Sequence, residues 1–219
     1  MPGLEKMNDF FAARVDGYDE HMKNNIERAE DFYVYTASLL PKTAGSTILD
    51  LGCGTGLELE ELFAVNPGAK VTGIDLSEAM LNALKAKFPE KDLTLVCASY
   101  FDVPFGENAY DAAVSVESLH HFTAEKKTAL YGKLHQALKK DGIFVLTDYF
   151  AETEELEKEY FRTLAELKKE QGLSDDTFYH FDTPLLVEHE MDCLRRAGFR
   201  DVRIMEKWNG HTWTVLATA

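Results

Sequence analysis

The stretch Ile48-Leu49-Asp50-Leu51-Gly52-Cys53-Gly54-Thr55-Gly56 restricts the fold of this chain more than any other. An apolar run ends on a carboxylate and passes directly into a glycine-rich turn. A second apolar run, Val71-Thr72-Gly73-Ile74-Asp75, also ends on a carboxylate. Short, continuous apolar runs bounded by turn residues are the mark of strands buried on both faces, as in a parallel sheet. A glycine turn between strand and helix lets a ligand approach bare backbone, with N–H groups pointing at it.

The surrounding pattern repeats this unit. It predicts strand 46–51, helix 56–65, strand 70–75, helix 77–87, strand 92–98, strand 110–116, helix 124–139 closed by Asp141-Gly142, and strand 143–149. Ser77 is a natural N-cap, with Met80 and Leu81 starting the apolar face of its helix. Such alternation implies a doubly wound, mostly parallel sheet. Upstream, residues 6–40 read as two helical pieces broken near Gly17, with an apolar stripe through Ile26, Phe32, Tyr35 and Leu39, and Pro41 to Gly45 forms a loop. Downstream, a charged helix runs to Gly172 and an aromatic-rich irregular stretch follows. Thr183-Pro184 restarts a helix with Pro at its first position, Gly198 ends it, and strands near 201–206 and 211–217 complete the chain. With no repeat, low-complexity tract or linker in sight, 219 residues read as one domain. Its parts are a helical cap (1–45), a ligand-binding core (46–150) and a final region of helices and strands (151–219).

The acids choose the ligand. The dinucleotide fingerprint G-x-G-x-x-G with an acid about 20 residues on is met by Gly52, Gly54 and Asp75. Its third glycine is displaced, because position 57 is Leu57. Asp50, just before the turn, would repel a pyrophosphate but suits a ligand with an ammonium group. S-adenosyl-L-methionine (SAM) carries that ammonium, a ribose for Asp75 and no phosphate. Nicotinamide dinucleotides are the runner-up for the motif.

ILDLGCGTG, VTGIDLSEAML and YDAAVSVESLHHF, in this order, resemble the class I SAM-dependent methyltransferase family over residues from about Ser46 to Phe150. The resemblance implies a Rossmann-like α/β fold with a seven-stranded, mostly parallel sheet closed by an antiparallel pair, an N-terminal helical cap and an insertion after the fifth strand. It implies that SAM is used and S-adenosyl-L-homocysteine released. Residue by residue, Asp50 would hold the ammonium group directly or through water, and Gly52 and Gly54 would admit the methionine part. Asp75 would accept from both ribose hydroxyls, a charge-assisted pair. Leu76 and Met80 would form an apolar platform beside the adenine. After the third strand the family often carries an Asp for the adenine amine, followed by a backbone N–H for a ring nitrogen. Here Ser99 and Tyr100 take those places, and Asp102 is an alternative. Tyr18, in a segment similar to the family's cap, would touch the cofactor, with Gly17 as a hinge.

Methyl transfer requires alignment and exclusion of water rather than an enzyme nucleophile. A base matters when the acceptor arrives protonated, and Glu117 and His120, leaving the carboxyl edge of the sheet, are the candidates. His121 matches a family position explained by packing. Phe178-Tyr179-His180-Phe181, Trp208, His211 and Trp213 are expected to contribute to an acceptor pocket. His21, His135, His180, His189 and His211 show no metal-ligand spacing, so no metal is expected.

Charge and composition narrow the partners. Lys+Arg of 23 against Asp+Glu of 38 gives −15, the wrong sign for a phosphate-binding footprint. Arg195, Arg196, Arg200 and Arg203 read as the solvated end of the last helix. A nucleic-acid substrate is disfavoured, and a small-molecule methyl acceptor is expected. No apolar run approaches a membrane span, and the first residues lack a basic region followed by an apolar one. Cys53, Cys97 and Cys193, at predicted buried or turn positions, read as reduced thiols of a cytoplasmic protein. The sequence leaves monomer and homodimer open. The favoured function is methyl transfer to a small cytoplasmic molecule by in-line displacement. The alternatives are another SAM-dependent enzyme (carboxy-SAM formation, or protein or tRNA methylation) and a non-catalytic SAM-binding module. An arginine aimed at the methyl group, Arg14 or Arg162, would favour carboxy-SAM formation.

Overall fold

The computed structural model describes residues 3–219; Met1 and Pro2 lie outside it, and with them the first two positions of the expected cap. Seven strands form one sheet in the order β3-β2-β1-β4-β5-β7-β6. They are β1 (Thr47–Leu51), β2 (Lys70–Asp75), β3 (Asp92–Cys97), β4 (Tyr110–Val116), β5 (Leu138–Tyr149), β6 (Arg200–Lys207) and β7 (Thr212–Thr218). Strands β1 to β5 pair in parallel, while β7 runs antiparallel to both β5 and β6. The helices are α1 (Met7–Ala12), α2 (Tyr18–Asn25), α3 (Ala29–Leu39), α4 (Leu57–Val65), α5 (Glu78–Lys87), α6 (Ala124–Ala137), α7 (Glu154–Gln171) and α8 (Val187–Arg196). This is the doubly wound α/β fold that the alternation predicts, with the closing antiparallel pair that the family resemblance implies.

The sheet is buried on both faces, and the side-chain alternation of its strands assigns each residue to one of two cores. Leu49, Leu51, Ala113, Phe144 and Leu146 pack with Leu130, Tyr131 and Leu134 of α6 and Leu194 of α8. Ile48, Ala112, Val114 and Val145 pack on the other face with Phe32 and Ala37 of α3 and Leu59 and Leu62 of α4. Each fully buried Leu or Phe contributes roughly 2 kcal/mol. Polar ties fix the helices in register. Lys127 Nζ donates to Glu190 Oε2 at 2.5 Å, and the Tyr131 hydroxyl donates to the same carboxylate, binding α6 to α8. Ser77, Thr123 and Thr153 accept from backbone N–H groups at the starts of α5, α6 and α7.

Several boundaries differ from the sequence pattern, each for a local reason. The cap has three helices rather than two: the chain breaks at Gly17 (φ 86°) as expected, and again at Arg28 (φ 65°). Its buried face is Ala29, Phe32, Tyr33, Thr36 and Ala37, while Ile26, Tyr35 and Leu39 are only half-buried. Helix α6 stops at Ala137, and β5 begins at Leu138, five residues before the predicted strand. Leu138 pairs with Tyr110, and a register shift then carries the strand past the left-handed Asp141 to Ile143 opposite Ala112. Pro184 does not open α8. Leu185 accepts from Ala151 N–H and Leu186 bridges Ala151, which holds 184–186 extended and delays the helix to Val187. Cys53 and Cys193 are buried, but Cys97, on the edge strand β3, is exposed. Among the described residues, no helix is long and apolar enough to cross a membrane.

Candidate active site

Strand β1 places Asp50 between Gly73 of β2 and Val114 of β4, so the turn after Leu51 opens at the carboxyl edge of the sheet, where folds of this kind hold ligands. Gly52 turns with φ 78°, and a Cβ there would lie 2.0 Å from Ser118 Oγ. Gly54 N–H donates to Asp75 Oδ2 at 2.9 Å, and Ser77 N–H donates to Asp75 Oδ1 at 2.8 Å. The Asp75 carboxylate is thereby pinned at the mouth of the turn, and each oxygen keeps a lone pair for a further donor. Burial raises its pKa, while backbone N–H groups of Ser77, Gly54 and Leu76 pull the other way.

A narrow cleft runs along this edge, lined by Gly52, Gly54, Asp75, Leu76, Met80, Tyr100, Val116, Glu117, Ser118 and His121, and covered by Met7, Phe11 and Tyr18 of the cap. It therefore brings together Tyr18, Gly52, Gly54, Asp75, Leu76, Met80, Tyr100 and Glu117 of the residues singled out in the sequence. Asp50 and Ser99 do not line it. Ser99 Oγ accepts from Phe101 N–H at 3.2 Å within its own turn, and Asp102 faces a separate hollow beside Lys126 and Lys133.

Asp50 lies behind the glycine turn, 1% exposed. Neither of its oxygens has a partner, nor does Glu58 Oε1. These two buried carboxyl groups face one another and satisfy each other only when one carries a proton. Burial, and then the neighbouring Glu58, push Asp50 well above the usual carboxylate range; burial raises Glu58 to about 7. Such a pair is a ready counter-charge for a cationic ligand group.

A second, wider cavity of about 600 Å³ adjoins the cleft, against about 50 Å³ for the cleft itself. Arg14, Asp16, Tyr18 and His21 of the cap face Glu117, His120, His121, His180 and Asp182 across it. Phe11, Tyr18, Glu117 and His121 belong to both walls, so the two spaces meet there. Glu117 sits at φ 49°, a left-handed conformation that costs a non-glycine residue about 1 kcal/mol or more. Its N–H donates to Thr147 carbonyl oxygen at 2.9 Å, and its buried Oε1 has no partner. Burial, with the charges of Asp148 and Asp182, raises Glu117 to about 8, against the pull of His120.

His120 Nδ1 is 2.5 Å from Asp148 Oδ1, and its Nε2 is 3.5 Å from Asp182 Oδ1. Burial opposes its charge, but Asp148 and Asp182 outweigh burial and hold the imidazole protonated well above its usual pKa. His121 is the reverse case. Burial and the charge of His120 lower it to about 3, and its Nδ1–H points at the Phe181 carbonyl oxygen, 3.2 Å away. It is therefore a neutral imidazole on the wall shared by both spaces.

Of the aromatic set expected near the acceptor, His180 alone lines this cavity, stacked on Phe10 with ring centroids 3.5 Å apart. Phe178 packs instead on Phe101 and Phe122, Trp208 on Tyr35, and His211 on Tyr149. Arg14 is held by Glu5 and the Phe10 carbonyl, and Arg162 stands on exposed α7 beside Glu159. Among the described residues, neither arginine nor lysine lines the narrow cleft. Arg195 and Arg200 each pair with an acid, Asp192 and Asp141, which blunts the basic cluster. Sequence reading missed Glu58, Asp148 and Asp182. Asp148 carried a usable signal, an acid at the end of the apolar run Phe144–Thr147, as Asp50 and Asp75 are in their runs.

Comparison with known proteins places the chain in a family. A family model described as a methyltransferase domain matches residues 48–142. An uncharacterized methyltransferase from a Geobacillus species is 32% identical over 217 residues, covering 98% of this chain and 95% of its own length. A carboxy-S-adenosyl-L-methionine synthase from Nautilia profundicola is 27% identical, covering 92% and 86%. Human N-acetylserotonin methyltransferase, solved in complex with SAM, has the same fold, with a TM-score of 0.65 at 19% identity over 96% of this chain and 56% of that one.

Proposed function

The chain belongs to the class I SAM-dependent methyltransferases, and from that premise we propose that it methylates a small molecule held in the wide cavity, with Glu117 as the base. The observation that carries this reading is the shared wall: Glu117, with a buried and unpartnered oxygen, borders both the narrow cleft and the wide cavity. A cavity of about 600 Å³ suits a small molecule. The three free cysteines are compatible with a reducing, cytoplasmic setting.

The residue types of the cleft suit SAM, and since the space is only about 50 Å³ the cap residues Phe11 and Tyr18 would move outward to admit it. Asp75 would take the ribose hydroxyls on its free lone pairs, and the bare backbone at Gly52 and Gly54 would admit the amino-acid part. Leu76, Met80 and Tyr100 would cover the adenine, and Tyr18 would close over the cofactor from the cap. Asp50, backed by Glu58, would answer the ammonium group, a counter-charge for a buried carboxyl neither of whose oxygens has a partner in the free protein. When bound, SAM supplies a methyl group already activated on a sulfonium, so no covalent enzyme nucleophile is needed.

The protein's own work is then placement and proton removal. Phe11 and Tyr18 exclude water from the junction of the two spaces. Glu117 Oε1 takes the proton of an acceptor hydroxyl or ammonium. His120 is not a base in this arrangement: clamped between Asp148 and Asp182, it serves as a fixed positive charge beside Glu117. The neutral His121 offers a hydrogen-bonding wall for the acceptor.

Carboxy-SAM formation is the second reading, favoured by the Nautilia relative and opposed by the engagement of Arg14, on the adjoining cavity wall, with Glu5 and the Phe10 carbonyl rather than with the narrow cleft. One experiment separates them. The purified protein is incubated with SAM labelled in its methyl carbon and with fractionated small metabolites. In the transferase reading the label leaves the nucleoside and S-adenosylhomocysteine accumulates unlabelled. Label that stays on a heavier nucleoside product would overturn it.

A further inference from the structure

The wall of the wide cavity carries a donor set suited to more than the positive charge and hydrogen-bonding surface that His120 and His121 supply in the metal-free protein. A ring nitrogen of His120, a ring nitrogen of His121 and a carboxylate oxygen of Asp182 lie within 4.8 Å of one another on its wall. We propose that these three residues bind one divalent transition-metal ion, which holds an acceptor bearing oxygen or nitrogen donors beside the atom to be methylated.

The geometry fits such an ion. A four-coordinate centre with bonds of about 2.1 Å has its ligand atoms about 3.4 Å apart. Asp182 Oδ1 stands 3.5 Å from His120 Nε2, as two ligands of one ion would, and His121, whose Nδ1–H is turned to the Phe181 carbonyl oxygen, keeps Nε2 as the nitrogen free to ligate. The groups that would hold the ligands in place are already set. His120 turns Nδ1 to Asp148 Oδ1 at 2.5 Å, which leaves Nε2 facing Asp182. Asp148 is itself fixed, because its Oδ2 accepts Leu119 N–H at 2.8 Å and its Oδ1 accepts Tyr149 N–H at 2.9 Å. A buried carboxylate behind a ligating histidine orients the ring and raises its basicity.

Charge points the same way. Asp148 and Asp182 place two negative charges on the wall around imidazoles that are neutral when they ligate, and a dication balances both. Two imidazoles and one carboxylate suit zinc, iron or cobalt better than magnesium or calcium, and three protein ligands leave positions open to the cavity. Glu117 and His121 line both this cavity and the narrow cleft, so an ion held here would lie beside their shared wall. Ion binding itself does not depend on the methyl-transfer reading; its use in holding an acceptor does. Backbone contacts bring the ligands together: Thr183 N–H donates to the His120 carbonyl oxygen at 2.9 Å, which ties the segment bearing Asp182 to the turn bearing both histidines.

The test uses full-length protein stripped with chelator and titrated with cobalt(II), whose visible absorption reports coordination without any assay of activity. Wild type should bind one equivalent with the bands of a nitrogen-containing site. Asp182→Ala, altering a side chain that is half-exposed, should lose that absorption while keeping its thermal shift with S-adenosylhomocysteine. Asp148→Asn should weaken binding about 10- to 100-fold. His189→Ala, on the distant exposed start of α8, controls for surface binding and should match wild type. Acetohydroxamate, a small oxygen chelator, should shift the wild-type bands. No absorption in wild type, or equal absorption in Asp182→Ala, would overturn the site. Bound cobalt whose bands ignore acetohydroxamate would overturn the acceptor role.

Discussion

The buried carboxyl pair behind the glycine turn makes ligand affinity depend on pH in a direction and size that can be worked out. Burial raises Glu58 to about 7, and burial together with the neighbouring Glu58 holds Asp50 well above the usual carboxylate range. The pair is therefore neutral in mildly acidic solution and carries one shared charge above neutrality. An ammonium group brought against it gains a counter-charge only in the second state. S-adenosylhomocysteine isolates this effect, because it has the ammonium without the sulfonium that Glu117 would feel. If binding requires the charged pair, the dissociation constant scales as one plus the ratio of protonated to ionised pair. For a group at about 7, that factor is about 11 at pH 6 and about 1.3 at pH 7.5. Affinity should thus rise about eightfold between these values, or about 1.3 kcal/mol.

Titration calorimetry in buffers of different ionisation enthalpy reads the same event as protons released. About 0.9 proton should leave per ligand at pH 6 and about 0.2 at pH 7.5. In Glu58→Gln the amide can donate to Asp50 and lower its pKa, so the affinity change over this window should shrink below about threefold. The free protein should move the opposite way. A raised carboxyl pKa contributes stability fully present below the unfolded value and lost as pH rises through about 7, so ligand should protect most where the free protein is weakest. Binding at pH 6 with no proton release, or an unchanged profile in Glu58→Gln, would refute the placement of the ammonium group beside this pair.

The remaining predictions concern the two ends of the same site. Glu117→Gln should lower turnover about 10²- to 10⁴-fold on an acceptor that must lose a proton, with S-adenosylhomocysteine affinity kept within about twofold; equal turnover would remove Glu117 from the chemistry. In wild type the rate should climb with pH through about 8, since only the ionised carboxylate accepts a proton, and a flat kcat profile would contradict the role. Gly52→Ala places a Cβ 2.0 Å from Ser118 Oγ at φ 78°. It should cost about 2 kcal/mol or more in urea denaturation and remove the thermal shift given by S-adenosylhomocysteine; wild-type stability and ligand response would show that the turn is not as tight as drawn.

How much of this site could be read from sequence depends on how far apart its parts lie along the chain. Asp50, Gly52, Gly54 and Asp75 belong to two successive strand-to-turn units, and buried parallel strands leave a local signature that a reader can recognise. The acceptor side has no such signature. Asp182 reaches His120 only because Pro184 to Leu186 stay extended against Ala151, a pairing across more than thirty residues that periodicity does not encode. The same pairing hid the true start of α8, since Thr183-Pro184 carries a good local signal for a helix start and loses to it. Glu58 was hidden in another way: Leu57–Val65 reads as an ordinary amphipathic start in which an early acid suits the helix dipole, and nothing local says that this one is buried against Asp50.

A common cause underlies these misses. The cofactor edge is made by chain-adjacent loops at the ends of β1 and β2, so its chemistry is written where its geometry is. The acceptor cavity is made by the cap, the turn after β4 and the segment before α8, which meet only after the sheet has formed. Each of these segments has to satisfy its own local preferences as well as the cavity, and Glu117 shows the strain of doing both: its backbone is left-handed, with its N–H on Thr147, while its Oε1 stays without a partner at the shared wall. Strain of that kind persists only where the surrounding structure imposes it. Its location, where the walls of the narrow cleft and the wide cavity meet, therefore supports Glu117 as the proposed base more than any residue type in the sequence does.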